Sequence, residues 1–244
     1  MAKFRLKLAA FALLIPFFPL ISSAQPAKIS VDEFISKWKA GYTQHKNYGQ
    51  APEKSSGASI LNGAKKQLLR EIEYDYSYRK LKFPNGDPPP DKGVCTDVAV
   101  RAFREIGFDL QKAVYDDLKK NYPGKYPNLW GHTRPDTNID HRRVPNLMVY
   151  FHRHANPLPL GITGEDLKTW APGDVVFWEL GGRRQHVGVV SDKKNSDGLP
   201  LAIHHWPGQS VAEEDVLDAW ARLGHYRWPQ PATETARTIP SEAK

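Results

Sequence analysis

"DVVFWELGGRRQHVGVVSDKKNSDGLPLAIHHW", from Asp174 to Trp206, decides the fold. "DVVFWEL" (Asp174 to Leu180) is a continuous apolar run of strand length, as in a strand buried on both faces. "HVGVVSD" (His186 to Asp192) and "LPLAIHHW" (Leu199 to Trp206) are two more strands, with "KKNSDG" between them as a hairpin loop. "GHYRW" (Gly224 to Trp228) reads as a fourth.

Helical patterns come before these strands. Phe34, Trp38 and Tyr42 recur every four residues and predict a helix from Val31 to about His45. Ile60, Ala64, Leu68 and Ile72 predict a second, from Ser59 to about Glu73. Val94 to Ile106 is a third, closed by Gly107, with Thr96, Asp97, Arg101, Arg104 and Glu105 on its polar side. A fourth spans Asp109 to Asn121, and Pro145 or Asn146 opens a fifth that runs to about His154. Helices first and strands afterwards predict an α+β domain with an antiparallel sheet.

Lys3, Arg5 and Lys7, the apolar run Leu8 to Ile21 and the small residues Ser22 to Ala24 have the pattern of a secretory signal peptide cleaved after Ala24. A retained membrane anchor is the competing reading, opposed by Pro16 and Pro19 within the run. The expected organisation is a signal peptide over 1–24, an N-terminal helix and linker over 25–58, one domain over 59–228 and a disordered polar tail over 229–244. The expected location is the periplasm or outside the cell, with no stable membrane insertion after cleavage. The net charge is +7, and the leader carries three of those positive charges. A mildly basic exported chain suits an anionic partner such as a wall polymer, whereas scattered cations without a stripe argue against nucleic acid.

There is one cysteine, Cys95, in "DKGVCTDVAV". Exported chains usually pair their cysteines, so a lone thiol is intermolecular, buried and inert, or reactive. At a helix start the thiol lies among unpaired N–H groups, which favour a thiolate and offer donors to an oxyanion. A cysteine nucleophile also needs a histidine base and often a third group to orient it. His186 heads one strand, and His204 and His205 lie on the next. A hairpin centred on Asn195 sets His204 opposite His186; a shift by one residue sets His205 there instead.

"PGDVVFW", "HVGVVSD" and "LAIHHW" together resemble the C-terminal half of the NlpC/P60 superfamily of cell wall cysteine peptidases. With "YDYSYRKLKFPNGDPPPDKGVCTDVAVRAFREIGFDLQKAVYDDL", "PDTNIDHRRVPNLMVYFHR" and "GHYRW", the chain is more closely similar to the DUF1287 family, over about Ser59 to Trp228. The resemblance implies a papain-type fold and a cysteine peptidase or amidase acting on peptidoglycan stem peptides without a cofactor. It implies Cys95 as nucleophile, His186 as base and His204 as third residue. "HHWPGQS" departs from the single histidine usual at that place and keeps His205 as a substitute. A wall-binding protein on the same fold and a thiol acyltransferase are the alternatives.

Arg142 or Arg143 in "DHRRVPN" could read substrate carboxylates; the other reading is an internal pair between Asp140 and an arginine. Asp97 is expected to cap or complement its helix, and Asp174 to shape the turn before its strand. Trp206 is a candidate wall of the substrate groove. No HExxH and no cysteine pair occur, so no metal site is expected, although His186 with His204 or His205 could hold zinc.

Overall fold

The computed structural model describes residues 28–122, 124–181 and 184–229. The expected signal peptide, its cleavage point and most of the polar tail lie outside the described residues.

In chain order the elements are α1 (Val31–Gly41), α2 (Gly57–Lys65), β1 (Glu73–Tyr74), β2 (Lys92–Gly93), α3 (Cys95–Phe103), α4 (Leu110–Asn121) and α5 (Val144–His154). Then come β3 (Asn156–Pro157), α6 (Gly164–Lys168), β4 (Val175–Leu180), β5 (Arg184–Lys194), β6 (Pro200–His205), β7 (Val211–Glu214) and β8 (Ala221–Arg227). Six strands form one sheet in the order β3-β8-β4-β5-β6-β7. Every pairing within it is antiparallel. The chain is therefore α+β, with most of its helix before the sheet, as the patterning predicts.

Strand β4 is apolar except for Glu179, which pairs with Lys39, because its other residues face two cores. Val175 and Phe177 join the main core, shared with Phe103, Leu147 and Phe151 of the helices. Val176, Trp178 and Leu180 join a smaller core with Trp170, Val190, Ala202 and Leu217. The same alternation sorts the two following strands. Val187, Val189 and Ile203 face the helices, while Val190 and Ala202 face the smaller core. The observed β5–β6 register pairs Val189 with Ile203 and Val190 with Ala202. That differs from a hairpin centred on Asn195 by two residues. An even shift keeps every side chain on its face, so His186 and His204 share one face and His205 takes the other.

Helix α3 starts at Cys95 because the Asp97 carboxylate accepts the N–H of Val94 at 2.8 Å. It tightens into a 3₁₀ turn over Arg104–Ile106 and stops at Gly107, which is left-handed at φ 68°. Thr96 and Asp97, expected on the polar side, are buried. The reason is Arg142, which donates to Asp97 from Nη2 at 2.9 Å, each side chain being 2% exposed. Arg142 Nη2 also donates to Asp75 O, and Thr96 Oγ1 donates to Arg142 O, both at 3.1 Å. One guanidinium thus ties the start of α3 to the segment after β1. Asp174 shapes the turn before β4 by accepting the Ala171 N–H at 2.9 Å, and also binds His225 and Arg227.

His141, in the 3₁₀ turn before α5, is buried with neither ring nitrogen hydrogen-bonded among the described residues. Burial, reinforced by the Arg142 charge, pushes its pKa down to about 3. The unfolded chain protonates this ring first, near its ordinary value, so stability falls as pH drops from about 6.5 towards 3. His141→Phe is expected to remove about 1.4 kcal/mol per pH unit from the acid slope in that window. Urea unfolding of both proteins at pH 7, 6 and 5 checks this, and equal slopes refute it.

Candidate active site

Three elements meet at one end of the sheet: the start of α3, the start of β5 and the end of β6. Cys95 stands at the first, 5% exposed and part of the main core. The Tyr74 hydroxyl donates to its sulfur at 3.9 Å, and the backbone N–H groups of Val187 and Thr96 face it. Tyr74 reaches this place because β1 pairs in parallel with β2, which leads directly into α3.

The helix start alone predicts a thiolate, but the structure holds the thiol neutral. Burial pushes Cys95 up to about 11, a rise that the Tyr74 hydrogen bond and the two N–H groups only partly offset. Desolvation outweighs the helix terminus here.

His186 lies beside Val187 in the chain, its ring buried among Trp178, Trp206 and Trp220, with centroids at 5.9, 5.4 and 5.8 Å. Its Nε2 is 2.9 Å from His204 Nδ1. Burial first, then the neighbouring His204 and His205, brings His186 down to about 3, so the ring is neutral at neutral pH. Cys95 belongs to the core on the helix side of the sheet, whereas His186 and His204 face the smaller core, so the structure does not bring the thiol and the His186 ring into contact; the side-chain hydrogen bond of Cys95 is with Tyr74. His204 is lowered by burial, against the opposing pull of Glu214. The Glu214 carboxylate lies 2.9 Å from His204 Nε2.

Of the two candidates for third residue, the structure brings His204 to His186. His205 faces the helices, packs edge-on against Tyr74 at 4.9 Å and turns Nε2 to Gln209 O at 3.1 Å.

A cleft of about 340 Å³ crosses this end of the sheet. Tyr74, Arg143, Arg184, His186, Trp130 and Trp206 are among its walls. The Arg143 guanidinium lies 4.0 Å over the Trp130 ring, and Arg184 lies 5.9 Å from the Trp206 centroid. Arg143 also pairs with Asp140 at 2.9 Å, so the internal pair exists and the same arginine borders the cleft. Arg142 is committed to Asp97 and does not line the cleft. Tyr74 and Glu214 carry no motif; Tyr74 is one of three tyrosines in "YDYSY", and Glu214 ends a strand that the apolar patterning does not reveal. Among the described residues, no group of three His, Cys, Asp or Glu side chains is placed to hold a metal ion.

These features define an α+β protein with a buried cysteine at a helix start and a histidine pair at the adjoining sheet end. The chain belongs to the family described as "Domain of unknown function (DUF1287)", whose profile it matches over residues 61–228. It is 44% identical over 174 residues to "Uncharacterized protein YijF" of Escherichia coli (strain K12), covering 71% of this chain and 82% of the relative. No solved structure matches.

Proposed function

We propose that this chain is an exported thiol hydrolase of the NlpC/P60 kind, with a papain-type fold, that cleaves an amide bond in peptidoglycan. The observation that carries the reading is convergence. Tyr74, which covers Cys95, and His186, backed by His204, open onto the same cleft. The cationic groups Arg143 and Arg184 in its walls suit the carboxylates of stem peptides.

The chemistry starts from the neutral pair. Cys95 and His186 start on opposite faces of β5, so the reaction requires that substrate entry move Tyr74 aside and that the thiol and the His186 ring meet around the sheet end, at Nδ1, the ring nitrogen not committed to His204. As Sγ bonds to the amide carbon, its proton passes to Nδ1. The Val187 and Thr96 N–H groups beside the sulfur stabilise the oxyanion. The C–N bond breaks and His186 returns its proton to the departing amine. Water then attacks the thioester carbon, giving a proton to His186; the C–S bond breaks, the carboxylic acid departs and the proton returns from His186 to sulfur.

A second reading, a wall-binding protein on the same fold, is favoured by one observation, the burial of the thiol beneath Tyr74. Incubation with purified muropeptides, read by mass spectrometry, separates the two. Hydrolysis is expected to yield one new amine and one new carboxylate. Intact muropeptides together with retention on sacculi overturn the hydrolase reading, and transfer of the acyl group to an added amine in place of water marks a transferase.

A further inference from the structure

We infer that Glu214 is a fourth member of the site, a positioning residue that sets the proton arrangement of both histidines; the inference rests on the hydrolase reading for its catalytic consequence. Strand β7 pairs with β6 so that His204 lies opposite Ala212 and Ala202 opposite Glu214. Ala212 and Glu214 are two residues apart, so Glu214 shares the face of His204 and His186. Its Oε2 is 2.9 Å from His204 Nε2 and also accepts from Gln209 Nε2 at 3.0 Å. The oxygen lies off the N–H axis of the ring, so the contact is mainly electrostatic.

Proton placement follows from donor and acceptor chemistry. A carboxylate only accepts. A lone pair on His204 Nε2 at this distance from Oε2 would be repelled, so Nε2 carries the proton. In the neutral ring Nδ1 is then the acceptor. It faces His186 Nε2 at 2.9 Å, which must therefore be the donor. That leaves the lone pair of His186 on Nδ1, the form a base needs. Reversing the His204 tautomer would move the His186 proton to Nδ1 and remove the base. The titratable groups facing His204 are His186 on β5 and Glu214 on β7. The Trp220 ring, 6.2 Å from His204 and 5.8 Å from His186, helps enclose the pair.

The test uses long-range ¹H–¹⁵N spectra of the imidazole rings in the full chain, with turnover measured alongside. The wild type is expected to show protons on Nε2 of both His186 and His204. Glu214→Ala should mix the tautomers and lower kcat by about 10–100-fold with KM little changed, and Glu214→Asp should recover part of the loss. The isosteric Glu214→Gln keeps an acceptor and should fall between them. Unchanged ring spectra and unchanged kcat in Glu214→Ala overturn the inference while leaving the hydrolase reading intact. The expected tautomers in a protein without turnover overturn the hydrolase reading and leave the positioning role standing. Because Glu214 is 39% exposed, its replacement should preserve the fold, which far-UV circular dichroism checks.

Discussion

Cys95→Ala is expected to lower turnover of a cleavable muropeptide by about 10⁴-fold or more, because removing a nucleophile leaves only binding and oxyanion stabilisation. The fold should survive. The change deletes one buried sulfur, a loss of about 1 kcal/mol. The wild-type thiol should also be sluggish without substrate. Burial pushes its pKa up to about 11, so its thiolate fraction at pH 7 lies far below that of a free cysteine. Iodoacetamide labelling at pH 7 followed by mass spectrometry measures this directly. Labelling as fast as a free thiol would mean that Tyr74 does not cover the sulfur in solution. Turnover that persists in Cys95→Ala would end the hydrolase reading.

Arg142→Ala is expected to destabilise the fold by about 3–5 kcal/mol, since it leaves the Asp97 carboxylate buried without its cation. The contrast is the exposed pair of Lys37 and Glu33 on α1, 71% and 46% exposed. Its disruption should cost less than about 1 kcal/mol. Replacing Asp97 and Arg142 together should recover part of the loss, because no orphaned charge remains. Urea denaturation of the three variants at pH 7 checks the order. A cost below about 1 kcal/mol for Arg142→Ala would show that solvent reaches the pair. Any accompanying loss of activity would follow from the tie that Arg142 makes between α3 and Asp75, next to Tyr74.

Local rules made much of this architecture legible. Continuous apolar runs revealed β4, β5 and β6, but strand spacing left His204 and His205 as alternatives for the face of His186, and only the observed register decides for His204. The glycine stop of α3 and the hydrogen bond from the Val94 N–H to the Asp97 carboxylate are contacts between near neighbours in the chain. What the sequence did not disclose depends on distant partners. Arg142 meets Asp97 across 45 positions, and only that meeting turns the polar side of α3 inward. Tyr74 is singled out from its neighbouring tyrosines by a two-residue pairing with Lys92–Gly93. Strand β7, "VAEE", has no apolar alternation because Glu213 pairs with Lys193 and Glu214 meets His204. The thiol's neutrality arises from burial, which no motif encodes.

The strand order bears on the sequence of events in folding. Strand β8 is the last of the described strands in the chain, yet it lies inside the sheet, between β3 and β4. Its backbone also accepts the Trp38 indole N–H from α1 at 2.7 Å and the Tyr42 hydroxyl at 2.8 Å. Until β8 leaves the ribosome, β4 has an unpaired edge, β3 has no partner and the Trp38 indole of α1 lacks its acceptor. The nascent chain therefore cannot complete its sheet piecemeal from the N-terminus; the earliest and latest segments lock together in a late step.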